Sequence, residues 1–163
     1  MIRIHIADLH QPEDANALLD LLNQYATDPM GGGQSLPEYT RENLVSNLSH
    51  RQDCIVILAY HEKRAVGLCN CFEGFSTFAC RPLLNIHDVF VTQHYQGQGI
   101  ARQMMQKVEQ LAMERGCCKL TLEVLANNAP AKKAYTDLGY QPYELDKQFG
   151  QAEFWQKKLP CKH

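Results

Sequence analysis

The segment VTQHYQGQGIARQMM, Val91 to Met105, sets two glycines in a short polar loop and then passes at once into an apolar periodic helix. The first N–H groups of a helix have no intrahelical acceptor and carry a partial positive charge. Gly97 and Gly99 remove side chains that would hold a ligand off those groups, so the loop suits phosphate oxygens. The same glycines also serve a plain strand-to-helix turn. No Gly-Lys-Ser/Thr follows, which excludes a P-loop, and the third glycine of the dinucleotide fingerprint is missing. His87 and Asp88 precede the loop on a strand. Alternation sends their side chains to opposite faces unless a bulge intervenes. A neutral imidazole is a competent base near neutral pH. Tyr135 lies in NNAPAKKAYTDLGY, where a phenol serves either as a general acid or as a core residue of the stripe Ala131, Ala134, Tyr135, Leu138.

The elements that must position these residues follow from periodicity. Residues 2–7 alternate as a strand, and PEDANALLDLLNQYA reads as a helix with Pro12 in its first turn. TDPMGGGQSLPEYT is a long loop and RENLVSNLSH a short helix. CIVILAYH, AVGLCNCFEGFSTF and LLNIHDVFV are strands joined by short turns, hence antiparallel. Ile100, Met104, Val108 and Leu111 form one stripe of a helix ending at Gly116. CKLTLEVLA is the next strand, NNAPAKKAYTDLGY a helix, and a short strand, a turn around Asp146 and a strand AEFWQKKL close the chain. The long helix between the strands near 83–91 and 119–126 permits a right-handed parallel crossover, giving a mixed sheet covered by helices.

Composition bounds the rest. The 163 residues suit a single domain, 1–163, with 45% hydrophobic residues to build its core. A net charge of −2 without long runs of one sign argues against nucleic acid as partner. Seven cysteines in no CxxC pair fit a reduced chain better than a disulfide framework, and supply no well-spaced zinc set, so no metal is expected. The tail Cys161-Lys162-His163 reads as a frayed end. No stretch is long enough for a signal peptide or a membrane span, so the expectation is a soluble, cytoplasmic chain that does not engage a membrane.

Two motifs stand in order: QGQGIA fits Gln/Arg-x-x-Gly-x-Gly/Ala, and the segment from Asn128 fits Asn-x-x-Ala-x-x-x-Tyr-x-x-x-Gly-aromatic. Together they resemble the GCN5-related N-acetyltransferase (GNAT) superfamily, over residues 83–143 in motif and elsewhere in element order. IHDVFVTQHYQGQGIA followed by ERGCCKLTLEVLANNAPAKKAYTDLGY is similar to the di- and polyamine branch. The resemblance implies an α/β (α+β) fold: a mixed, mostly antiparallel sheet splayed at a parallel strand pair, with helices on both faces. It implies acetyl-CoA as co-substrate and a small-molecule primary amine as acceptor, joined in a ternary complex by direct attack. Backbone groups of Phe90 and Val91 would meet the pantetheine arm and acetyl carbonyl. The N–H groups of Gln96, Gly97, Gln98, Gly99, Ile100 and Ala101 would hold the pyrophosphate, with Arg102 adding charge or simply facing solvent. Gln96 stands where many relatives carry Arg. Asn128 would contact the cofactor arm, although it or Asn127 also suits a helix cap. Tyr135 would protonate the leaving thiolate. His87 occupies the place of an acid in the polyamine branch and would act as base or through a water, with Asp88 orienting the amine. Asp28, Glu38 and Tyr39, in the loop between the first two helices, would line the acceptor side. Phe154 and Trp155, on opposite faces of the last strand, suit a homodimer contact. Acylation through a cysteine is a longer route, since none has an evident His partner. A peptide or protein lysine or N-terminal acetyltransferase, and a non-catalytic acyl-CoA sensor, are the competing functions.

Overall fold

The computed structural model describes residues 1–160, so the tail Cys161-Lys162-His163 lies outside the described residues. The elements are β1 (Ile2–Ile6), α1 (Pro12–Thr27), α2 (Glu38–Ser49), β2 (Cys54–His61), β3 (Arg64–Ser76), β4 (Arg81–Val91), α3 (Ile100–Glu114), β5 (Leu120–Leu122) and α4 (Ala129–Asp137). They fall into two compact units, one spanning Met1–Leu122 and one beginning at Glu123.

In the first unit the strands lie in the order β1-β2-β3-β4-β5. The first three pairings are antiparallel, and β4 with β5 is parallel, as the α3 crossover predicts. Strand alternation sends side chains to two layers. Val56, Leu58 and Tyr60 of β2 and Leu68 of β3 pack with Ala17, Leu18 and Leu21 of α1 and Leu48 of α2. On the other face α3 buries Ile100, Met104, Val108 and Leu111, the expected stripe, together with Met105 and Ala112. Gly67 makes that approach possible: a Cβ there would stand 3.1 Å from both Ala59 Cβ and Met104 Cε. No helix of the described residues is long and apolar enough to cross a membrane.

One polar knot ties β1 to α1. Asp14, 7% exposed, accepts from His5 Nε2 at 3.0 Å, from the Tyr60 hydroxyl at 3.0 Å and from the Asp8 N–H at 2.9 Å. Burial by itself raises the carboxyl's pKa, but the Asp8, His5 and Tyr60 hydrogen bonds and the nearby His5 charge outweigh it and hold it below the usual value. A carboxyl depressed in the folded state adds stability that is present above the unfolded carboxyl's pKa of about 3.9 and is lost as pH falls through the lower folded value. Asp14→Asn should therefore lose about 1–3 kcal/mol at neutral pH and narrow that deficit in acid; urea denaturation at pH 7 and pH 3 measures both.

Four expectations are corrected. The strand expected over CKLTLEVLA shrinks to Leu120–Leu122. The two closing strands are absent among the described residues, leaving one bridge between Glu144 and Gln151, so Phe154 and Trp155 do not alternate on a strand; they stand 76% and 83% exposed. Alternation alone does not make a strand where no neighbouring edge pairs with it. The second helix starts three residues earlier than RENLVSNLSH, so Glu38 and Tyr39 belong to its first turn, not to the loop. The loop itself contains a 3-10 turn at Pro29–Gly31, capped by the Asp28 carboxylate accepting from the Met30 N–H.

Candidate active site

The bulge expected as an exception occurs, and it sits at His87. Asn70 pairs with Asp88, and Cys71 with Ile86, so His87 is the extra residue of β4. Its ring lies edge-on to Phe72, 5.4 Å between centroids, and 3.4 Å from Asn85 Oδ1. Asp88, opposite Asn70, accepts from Asn70 Nδ2 at 2.9 Å. Phe90 stacks on Tyr25 of α1 at 5.6 Å. One extra residue thus turns His87, Asp88 and Phe90 toward the same α1 side of the sheet.

The parallel ladder stops beside the bulge: β5 pairs with Leu84, Asn85 and Ile86 and no further among the described ladders, and Ile86 is the residue before His87. From there to Val91 the β5-side edge of β4 is open among the described ladders. Thr92 N–H bonds to Val66 O on the β3 side at 2.9 Å. Alternation then turns the main-chain groups of Phe90 toward β3 and those of Val89 and Val91 to the open edge. The Val91 carbonyl is already engaged by Gln96 Nε2 at 3.0 Å. Gln96 therefore braces the loop with its side chain.

Beyond that brace the backbone turns left-handed at Gly97 (φ 75°) and Gly99 (φ 78°), conformations that a side chain resists. Gly99 is the N-cap of α3 and no side chain caps the helix. The first ladder bond runs from Gln103 N–H to Gly99 O at 3.1 Å, leaving the N–H groups of Ile100, Ala101 and Arg102 without helical acceptors. A Cβ on Gly97 or Gly99 would meet nothing within 4 Å, so the positive φ, not a steric neighbour, is what requires glycine at both positions. Gln98 Nε2 donates to His94 O at 3.0 Å, and Tyr95, in the turn just upstream, has its hydroxyl 3.0 Å from His61 Nδ1. The Arg102 side chain is exposed in the first turn of α3.

On the α1 side, Tyr25 lies near the C-terminal end of α1, where PEDANALLDLLNQYA by itself signals only a helix. Its phenol pKa is raised by burial first, then by the charges of Asp88 and Asp28. The loop that carries Asp28 is pinned against α1: Gly33 N–H reaches Asp28 O at 3.0 Å, Gln34 N–H reaches Ala26 O at 3.0 Å and Leu36 N–H reaches Asn23 Oδ1 at 2.9 Å. Gly31 lies so close to the Tyr25 carbonyl that a Cβ would fall 1.9 Å from its oxygen. Glu38 and Tyr39 stand exposed on α2.

The cysteines are free thiols throughout the described residues. Burial pushes the Cys54 thiol up to about 11, a hydrogen bond with Cys71 3.7 Å away and burial raise Cys69 well above its ordinary value, and burial raises Cys117. None of these three is a ready thiolate nucleophile.

The second unit carries the other two predicted residues. Asn128 is the N-cap of α4, its Oδ1 accepting from Ala131 N–H at 3.3 Å, which decides between it and Asn127 as the cap. Tyr135 lies on α4 with its ring 6.0 Å from that of Tyr140. No residue of α4 is fully buried, and Ala131, Tyr135 and Leu138 of the expected stripe are half-buried.

A split sheet with an open β4 edge, followed by a left-handed glycine turn into an uncapped helix, defines a class. The model of the Acetyltransferase (GNAT) family matches residues 16–140, and the chain belongs to that family. It is similar to thialysine N-epsilon-acetyltransferase of Bos taurus, 36% identical over 70 residues, covering 43% of this chain and 41% of that protein. It is also similar to streptothricin acetyltransferase of Streptomyces lavendulae, 39% identical over 75 residues, covering 46% of this chain and 40% of that one. These matches span about two fifths of the length of either relative. Among solved structures the fold matches AAC(6')-Iy in complex with the bisubstrate analog CoA-S-monomethyl-acetylneamine, with a TM-score of 0.77, 15% identity and coverage of 98% and 99% of the two chains.

Proposed function

We infer that the chain, taken as one acetyltransferase domain, moves the acetyl group of acetyl-CoA onto a primary amine of a small molecule. The observation that carries this reading is the helix mouth: unpaired N–H groups of Ile100, Ala101 and Arg102 behind two left-handed glycines whose missing Cβ atoms leave the space clear. A diphosphate fits that charge and shape. The donor set suits the group, so the roles follow. The N–H groups from Gly97 to Arg102 hold the diphosphate; the Gln96 N–H, expected among them, is spent on Gln93 O at 3.3 Å, and the Arg102 N–H joins the set. Val91 keeps its expected place at the pantetheine arm and acetyl carbonyl through its N–H, whereas Phe90, expected beside it, turns its main chain to β3, so Val89 takes that place in this reading. Arg102 adds positive charge, and Asn128 contacts the cofactor arm while capping α4. Acetyl-CoA, when bound, supplies the thioester.

The acceptor's side is the α1 face. A primary amine with a pKa near ~10 reaches the enzyme as an ammonium ion and must lose a proton to attack. Asp88, Asp28 and the Tyr25 ring offer it negative charge and an aromatic wall. His87, exposed beside Asp88, takes the proton directly or through water. Attack by the free amine forms the new C–N bond, the C–S bond breaks, Tyr135 protonates the departing thiolate, and the second proton shed by the nitrogen passes through water to restore the Tyr135 phenol. The raised thiols of Cys54, Cys69 and Cys117 support direct attack over an acyl-cysteine route. The pinned 28–37 loop favours a compact acceptor, polyamine-like, amino-sugar or amino-acid in type, over a peptide groove. The exposed Phe154 and Trp155 support a homodimer contact, and the reduced thiols support a cytoplasmic setting.

A thiol-release assay with acetyl-CoA and a panel of 1,4-diaminobutane, glucosamine, lysine and a lysine-containing peptide tests the reading. Saturable turnover is expected with at least one small amine, and at a higher kcat/KM than with the peptide. Binding of acetyl-CoA without release by any amine would make the chain a sensor.

A further inference from the structure

Asn70 is 2% exposed, in the middle of β3, among residues that are otherwise apolar. Its Nδ2 donates to Asp88 at 2.9 Å, yet its Oδ1 is buried with no hydrogen-bond partner among the described residues. An amide left half-satisfied in a core is less stable than an apolar residue of the same shape. The fold therefore gains nothing evident from this oxygen; what the amide supplies is the N–H to Asp88. The pairing also depends on the bulge. Were the Cys71–Ile86 register continued without a bulge, Asn70 would face His87 in place of Asp88. The β3–β4 register thus selects one of the two neighbouring polar residues, Asp88, and gives it a fixed, buried donor. His87 instead lies edge-on to Phe72, with a 3.4 Å approach to Asn85 Oδ1.

We propose that Asn70 is a positioning residue: it clamps one oxygen of Asp88 so that the other faces the acceptor's ammonium, on the side where Tyr25 closes the wall. This rests on the amine-acetylating reading and assigns Asp88 the primary contact with the acceptor. An Asn-fixed carboxylate presents a defined acceptor direction, whereas a free one on a half-exposed strand samples several rotamers and meets the ammonium at an entropic cost.

The test uses the full chain and whichever of the small amines above the wild type acetylates fastest. Asn70→Leu keeps the volume and removes the donor; Asn70→Asp keeps the shape and replaces the donor with an acceptor. Each should lower amine kcat/KM by about 10-fold or more while leaving the acetyl-CoA Kd within about 2-fold. Asn70→Leu should melt no lower than wild type, the opposite of what loss of a structural residue produces. Combined with Asp88→Ala, it should add no further loss, because Asn70 acts through Asp88. Wild-type kinetics in either Asn70 variant, or losses that multiply in the double variant, overturn the assignment of Asn70 alone. A wild-type chain that releases no thiol overturns the functional reading and this role together.

Discussion

Gly99→Val is expected to weaken acetyl-CoA binding by about 100-fold or more while the chain still folds. Two effects combine. A β-branched residue resists φ near 78°, which costs on the order of 1–2 kcal/mol of stability. Its side chain then fills the space at the helix mouth, where a Cβ meets no protein atom. Losing two charge-assisted N–H contacts at about 1.5–3 kcal/mol each corresponds to roughly two or more decades in Kd. Gly99→Ala separates the two effects, since it carries most of the backbone strain and little of the bulk. Calorimetric titration gives Kd, and a melting curve gives the stability change. A Gly99→Val protein that binds acetyl-CoA like wild type would remove the phosphate role from this loop.

Tyr135→Phe is expected to lower kcat by about 100-fold and leave the acetyl-CoA Kd within about 2-fold, the range in which loss of a general acid falls. The ring is kept, so its contact with Tyr140 is kept, and only the hydroxyl is lost. Since α4 buries none of its residues, the substitution should shift Tm by no more than a few degrees. Single-turnover thiol release separates the chemical step from product departure. Unchanged turnover would take the acid role from Tyr135.

The parts legible in the sequence were those with a local signal. The α3 stripe is a helical period, and Gly97 and Gly99 announce a positive-φ turn wherever the chain folds. Other parts depend on pairing between distant segments. The bulge at His87 is one residue of excess in β4 against β3, a mismatch that neither strand reveals separately. It decides that His87 and Asp88 share a side, and the β5 ladder stops at the residue before it, with only Leu120–Leu122 of the nine-residue run CKLTLEVLA in the sheet. Asn70 was hidden in an apolar strand and Tyr25 in a helical stripe, because burial of one polar atom leaves no trace in periodicity. The closing strands failed for the converse reason: AEFWQKKL alternates well, but alternation does not by itself make a ladder, and among the described residues the segment is no strand, with a single bridge just before it at Glu144–Gln151.

The central claim is that the main-chain N–H groups from Gly97 to Arg102 seat a diphosphate. Amide hydrogen exchange across this loop, with and without saturating acetyl-CoA, reads those groups directly. Binding should slow exchange at Gly97 through Arg102, where the helix offers no acceptor, and the slowing should persist with CoA lacking the acetyl group. Saturable binding that leaves these amides exchanging as fast as in the free chain would contradict the account.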